Sequence, residues 1–106
     1  MPPRGSALAR SSFLVLLALG DRARHGLAII DRIEEATKGR VKMGPGTLYG
    51  TLQKLESSGL IREVDEAPDP SDHDTRRRYY RLTSRGERAL AVETANLRLL
   101  VDAAEV

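Results

Sequence analysis

Residues 41–61 read VKMGPGTLYGTLQKLESSGLI. The apolar positions Leu48, Leu52 and Leu55 recur at four and three residues, the spacing of one buried helical face. The opposite side carries Gly46, Thr47, Gly50, Gln53, Lys54 and Ser57, small or polar groups with little bulk to hold a partner away. Pro45 suits a first helical turn, which needs no backbone donor there, and Gly59 suits a left-handed C-cap. The spacing predicts a helix from Pro45 to Glu56 or Ser57 whose polar face is slim enough to lie in a groove.

Upstream, ALARSSFLVLLALG (7–20) reads as a first helix with Ala9, Phe13, Leu16 and Leu17 on one side, ended by Gly20. HGLAIIDRIEEATKG (25–39) reads as a second, with Leu27, Ile30 and Ile33 on its apolar side and Gly39 as its stop. Asp31, Glu34 and Glu35 fall largely away from that side. Downstream of Gly59 the period drops to two. LIREV (60–64) and RRYYRL (77–82) are short strand candidates, separated by a polar, Pro-containing segment that is long for a hairpin loop. Tyr80 and Leu82 share the core side of the second strand, leaving Tyr79 and Arg81 on a basic, aromatic outer face. Thr83 is a natural N-cap for a last helix starting near Ser84.

This last helix carries more apolar surface than a small domain needs. Leu90, Leu97, Val101 and Ala104 form one stripe, widened by Ala89, Val92, Leu99, Leu100 and Val106. A monomer would leave that patch in water. A homodimer covers it, with the partner's first helix packed alongside, and Phe13, Leu17, Leu90, Leu97, Leu100, Val101 and Ala104 are the expected interface.

The chain has 106 residues, enough for one core. Its 17 basic and 15 acidic side chains give a net charge of +2, too small to identify a partner. The distribution is more informative: Asp65, Glu66, Asp69, Asp72 and Asp74 precede Arg76, Arg77, Arg78 and Arg81. The absence of cysteine removes disulfides, a thiolate nucleophile and sulfur ligands, and fits a reducing compartment. The most apolar run, FLVLLALG (13–20), is far shorter than the roughly 20 residues of a membrane span. Reading it as a secretory signal would consume much of the available core, so the expected location is the cytoplasm, without membrane association.

Catalysis has little support. The chain contains no G-x-G-x-x-G, P-loop or H-E-x-x-H pattern, and neither His25 nor His73 has a catalytic partner nearby in sequence. His73 lies between Asp72 and Asp74, but three adjacent loop residues rarely converge on one ion. The expectation is therefore no enzyme, no cofactor and no metal.

Two consecutive helices, the second with a slim polar face, followed by an arginine-bearing ribbon, fit a winged helix-turn-helix on DNA. The same pattern also fits a helical interaction domain with an ordinary solvated face. HGLAIIDRIEE, GPGTLYGTLQKLESSGLI and RRYYRLTSRGERAL, in that order, resemble the PadR family of bacterial transcriptional regulators. The similarity is to the small type, with little beyond the winged domain and one C-terminal dimerisation helix. With the first helix, these pieces cover nearly the whole chain.

The resemblance implies a mainly α fold with a two-stranded β wing. Residues 1–83 would form the winged helix-turn-helix, including the N-terminal helix, and 84–106 the dimerisation helix. The implied function is a dimeric, ligand-responsive repressor that binds double-stranded DNA at a palindromic operator. The third helix would be the recognition helix, Pro45, Thr47, Leu48 and Tyr49 matching the family's Pro-x-Thr-Leu-Tyr. Lys42, Thr47, Tyr49, Gly50, Gln53 and Lys54 would face DNA, and Arg76, Arg77 or Arg78 would approach phosphates. Tyr49 also has a packing reading, and Leu48 belongs to the core. His25 and Gly26 match the family's His-Gly, where a histidine is structural or capping.

Relatives of this kind respond to phenolic acids, hydrophobic drugs or metals, or have no known ligand, and no effector is identifiable here. Phe13 is the sole candidate aromatic for an effector pocket, and it can equally be core. Two departures stand out: EAPDPSDHDTRRRYY (66–80) replaces a short Gly-x-Pro-Arg-type wing tip, and Ser84 replaces the usual proline after Thr83. The acidic wing is expected to swing away from phosphate. It also leaves open a winged-helix dimer acting as a protein–protein adaptor.

Overall fold

The computed structural model describes residues 8–65 and 77–105. Arg76, the histidine-containing acidic stretch of the wing and Val106 lie outside the described residues. The order is α1 (Arg10–Ala18), β1 (Arg24–His25), α2 (Gly26–Ala36), α3 (Pro45–Ser57), β2 (Ile61–Val64), β3 (Tyr79–Leu82) and α4 (Ser84–Ala104). The first three helices pack around Val15, Leu16, Ile29, Ile33, Leu48, Leu52 and Leu55, and the sheet contributes Ile61, Tyr80 and Leu82.

In α1 the buried set is Ser12, Val15, Leu16 and Ala18, continued by Leu19. Phe13 and Leu17, grouped with Leu16 from the sequence, stay half-buried, and Ala9 is exposed. The packed side of α2 also differs from the expectation. It is Gly26, Ile29 and Ile33, while Leu27 remains 60% exposed. The cause is close packing on α3: a Cβ on Gly26 would stand 3.2 Å from a Leu48 methyl and 3.0 Å from the Tyr49 hydroxyl. Glycine brings the helices together there, and hydrophobicity does not register glycine. The helix ends through left-handed Lys38 and Gly39, the latter donating to Glu34 O at 2.8 Å.

The third helix follows its sequence signals. Pro45 is in the first turn, and Gly59 adopts φ +76°, letting Leu60 N–H donate back to Leu55 O at 3.0 Å. The turn delivers the chain directly into β2. β2 pairs antiparallel with β3, Ile61 opposite Leu82 and Arg62 opposite Arg81. This is the expected two-stranded wing, but the sheet has a third strand: β1 pairs with the other edge of β3, placing Arg24 opposite Tyr80 and His25 opposite Tyr79.

Thr83 caps α4 by accepting from Gly86 N–H at 3.1 Å, and its hydroxyl donates to Gly59 O at 2.6 Å. Thr83 N–H donates to Leu60 O at 3.1 Å, and a Cβ on Gly86 would stand 1.9 Å from that same oxygen. Only glycine allows α4 to start this close to the end of α3. The 21-residue α4 then extends about 30 Å at 1.5 Å per residue, stretching the long axis of the molecule to 50 Å.

Candidate nucleic-acid interface

The buried leucines of α3 turn Thr47, Tyr49, Gly50, Gln53 and Lys54 outward, and all five are exposed. Gly46 and Gly50 lie on this face with nothing within 4 Å of the position a Cβ would take. Neither glycine is required by the packing of its own chain. Glycine in a helix interior costs about 1 kcal/mol relative to alanine, so a smooth face is retained here at the expense of helix stability. Over 13 residues the face is about 20 Å long.

Tyr49 is 58% exposed, yet its hydroxyl lies 3.0 Å from the position a Cβ on Gly26 would take. Its ring rests against the start of α2 on one side and presents surface to solvent on the other. Lys42, in the loop before α3, is exposed and lies 3.8 Å from the Glu34 carboxylate. A solvated pair at that distance contributes little and leaves the lysine able to meet another anion.

The wing meets this face across the first edge of the sheet. Arg24 anchors β1: its guanidinium donates to Ala18 O at the end of α1 and pairs with Asp21 at 2.6 Å. That hydrogen bond holds the Asp21 carboxyl below its usual range. The anchor fixes His25, whose ring meets Tyr79 edge-on at 5.3 Å and whose Nδ1 accepts from Ala28 N–H at 3.2 Å. His25 is thus the N-cap of α2, a structural role compatible with its sequence reading. It also corrects the expected aromatic outer face, because Tyr79 is buried on the side His25 shares.

Arg77 and Arg78 precede β3 and are exposed. The Arg77 guanidinium lies 3.2 Å from His25 Nε2. Arg78 lies 3.8 Å from Glu63. Burial raises the Tyr80 phenol above its ordinary value, and Arg78 pulls it partly back. Between the wing and α3 is a cleft of about 620 Å³ lined by His25, Gly26, Leu27, Tyr49, Arg77, Arg78 and Tyr80. The structure therefore brings Tyr49 together with Arg77 and Arg78, while Gln53 and Lys54 occupy later turns of α3.

Sequence reasoning missed two features. Arg62 faces Arg81 directly across the ribbon, both exposed, so the wing has a second basic face. Like charges opposite one another destabilise a ribbon, and the signal is hidden until the register is known. Glu93 is 5% exposed on α4, in a cleft of about 340 Å³ lined also by Leu8, Leu60, Arg85, Arg88, Ala89, Val92 and Asn96. The apolar stripe obscured it.

Phe13, Leu17, Leu90 and Leu97 are half-buried, Leu90 coming within 3.3 Å of the Cβ position of Gly20. Leu100, Val101 and Ala104 are exposed, as is Leu99. Among the described residues no helix is long and apolar enough to cross a membrane, and no group of three or more His, Cys, Asp or Glu is placed to hold a metal ion.

Residues 15–92 match the family described as the transcriptional regulator PadR-like family. A PadR family transcription regulator from hypervirulent Clostridium difficile R20291 superposes with a TM-score of 0.76 at 22% identity, over 92% of this chain and 96% of that one. A Streptococcus transcriptional regulator gives a TM-score of 0.71 at 31% identity, over 89% and 87%. An uncharacterized 37.1 kDa protein in transposon Tn4556 of Streptomyces fradiae is 45% identical over 56 residues. That match spans 53% of this chain but only 16% of the Streptomyces protein.

Proposed function

The chain belongs to the transcriptional regulator PadR-like family, a family of regulators rather than enzymes, and on that premise we propose that it is a homodimeric, sequence-specific repressor. In this reading α3 enters the major groove, a channel about 12 Å wide. Thr47, Gln53 and Lys54 meet base edges, Tyr49 and Gly50 lie against the duplex, and Lys42, Arg77 and Arg78 approach phosphates. Residues 1–83 read DNA, and 84–106 form the dimerisation element.

The observation that carries this reading is the outer face of α3. Gly46 and Gly50 leave it smooth although nothing in their own chain needs the space, and the polar groups beside them are turned away from the core. The dimer is supported by Leu99 and Leu100, 68% and 65% exposed on a helix that projects from the fold.

Two measurements test the reading. Sedimentation equilibrium at micromolar concentration should give twice the 11.7 kDa chain mass, and a strictly monomeric species would refute the dimer. Footprinting should show two symmetric half-sites about 34 to 36 Å apart, or a multiple of that distance. One asymmetric site would contradict the two-fold arrangement.

A further inference from the structure

Arg62 and Arg81 stand opposite one another across the β2–β3 ribbon, and both are exposed. Directly opposed residues of an antiparallel pair bring their Cβ atoms to about 4.5–5.5 Å, where two like charges are destabilising. Strand alternation puts Arg62 and Val64 of β2, with Tyr79 and Arg81 of β3, on the face turned away from the core, while Ile61, Tyr80 and Leu82 fill the other. Glu63, the acid of β2, has the parity of Ile61 and lies near Arg78, so it does not offset the arginine pair. Among the described residues neither Arg62 nor Arg81 forms an ion pair. The ribbon has four facing pairs, and one of them opposes two cations at a cost to its own stability. An anion lying across both guanidinium groups removes that cost.

The form of the anion follows from the rest of this face. Alternation along the chain carries it from Arg81 through Tyr79 to Arg77, which lines the cleft beside α3. Four residues of extended chain separate Arg81 from Arg77, about 13 Å. A small free anion could touch only one end of such a row. A DNA strand repeats its charge every 3.4 Å or so of rise, and the guanidinium fork matches phosphate oxygens two at a time.

We propose that Arg62 and Arg81 are DNA-contacting residues, a cross-strand arginine pair on the outer face of the wing that grips the phosphate backbone beyond the cleft. The inference rests on the DNA-binding reading above and adds to it a contact on β2 and β3 that disfavours the isolated fold. Such a contact anchors α3 on the duplex without reading sequence. One substitution therefore has two opposite effects. Removing either arginine relieves the repulsion and stabilises the protein. It also removes a cation from the DNA interface, lowering the slope of log K against log salt by about 0.9 for each bound protomer, or about 1.8 for a dimer.

The experiment compares wild type with R62A, R81A, R62K and R62E. Urea titration at one protein concentration reads stability, and anisotropy titration at several salt concentrations reads affinity for a duplex from the protein's own upstream region and for a scrambled duplex. R62A and R81A should unfold at higher urea than wild type, lose affinity equally on both duplexes and show the reduced slope. R62K keeps the cation and should keep the wild-type slope. R62E pairs with Arg81 across the strands, so it should have the highest urea midpoint and a slope reduction about twice that of R62A.

Wild-type slopes in folded R62A and R81A would overturn the proposal while leaving the DNA-binding reading standing, provided the wild type still prefers its own duplex. A loss confined to that duplex would also overturn it, since it would assign the pair to base reading. Lower urea midpoints in R62A and R81A would refute the opposed charges as a cost to the fold. A wild type that binds neither duplex would overturn both readings. If R62A does not fold, R81A decides from the other strand by the same two readouts.

Discussion

Replacing Gly50 with alanine should strengthen the fold and weaken DNA binding at once. Gly50 lies in the interior of α3, is exposed, and has nothing within 4 Å of the position a Cβ would occupy. The new methyl meets no atom of its own chain, so the intramolecular effect is helix propensity alone, about 1 kcal/mol in favour of alanine. For a domain this size that corresponds to a rise in Tm of about 4–8 °C. On DNA the methyl occupies the space where the duplex approaches. Forcing a methyl into a well-packed contact costs about 1–3 kcal/mol, or roughly five- to 150-fold in affinity. Thermal melts followed by circular dichroism, at one protein concentration because a dimer's stability depends on it, give the first number. Anisotropy titration gives the second. A variant that melts higher and binds as tightly as wild type would remove Gly50 from the interface. A variant that melts lower would refute the claim that its own chain leaves the space open.

Gly86→Ala has the opposite logic: its Cβ would stand 1.9 Å from Leu60 O, so it should destabilise by about 1–3 kcal/mol or more in urea titration, and an unchanged midpoint would contradict the tight start of α4. Gln53→Ala should reduce the preference for operator over scrambled DNA by about 1–3 kcal/mol, with folding intact because the side chain is exposed; equal ratios for variant and wild type would exclude it from base reading. Leu99→Asp with Leu100→Asp should yield monomers in sedimentation and a large loss of operator affinity, and a stable dimer would move the interface away from the end of α4. The Asp21 carboxyl, held below its ordinary value by Arg24, favours the folded state at and above the ordinary aspartate range and loses that contribution as pH falls through its folded value. The stability gap between wild type and Asp21→Asn should therefore close on the acid side, by a small amount since Asp21 is largely exposed, and a gap independent of pH would refute the pairing.

The parts legible from sequence are those written in local chemistry. Pro45, the Leu48–Leu52–Leu55 spacing and Gly59 define α3 without reference to anything distant, and Thr83 marks the start of α4 as clearly. What was hidden depends on neighbours far along the chain. Strand β1 is two residues long, too short for periodicity, and exists because Arg24 and His25 pair with Tyr80 and Tyr79. That pairing buries Tyr79, which strand parity alone placed on an open face. In α2 an apolar count selected Leu27, whereas the close contact with Leu48 and Tyr49 selects Gly26. His25 was readable as a cap, but its approach to Arg77 joins residues on opposite sides of α3 in the sequence and belongs to the fold.

The central claim is that the outer face of α3 reads a particular DNA sequence. It is tested most directly by titrating a labelled duplex from the protein's own upstream region, against a scrambled duplex of the same length and composition, at matched salt near physiological strength. Specific complexes bind typically 10³–10⁷ tighter than non-specific ones at such salt. The account predicts a preference in that range, saturating at two chains per duplex and resisting unrelated competitor DNA. Equal affinity for the two duplexes, or no binding to either, would contradict it and favour a winged-helix dimer that docks on another protein.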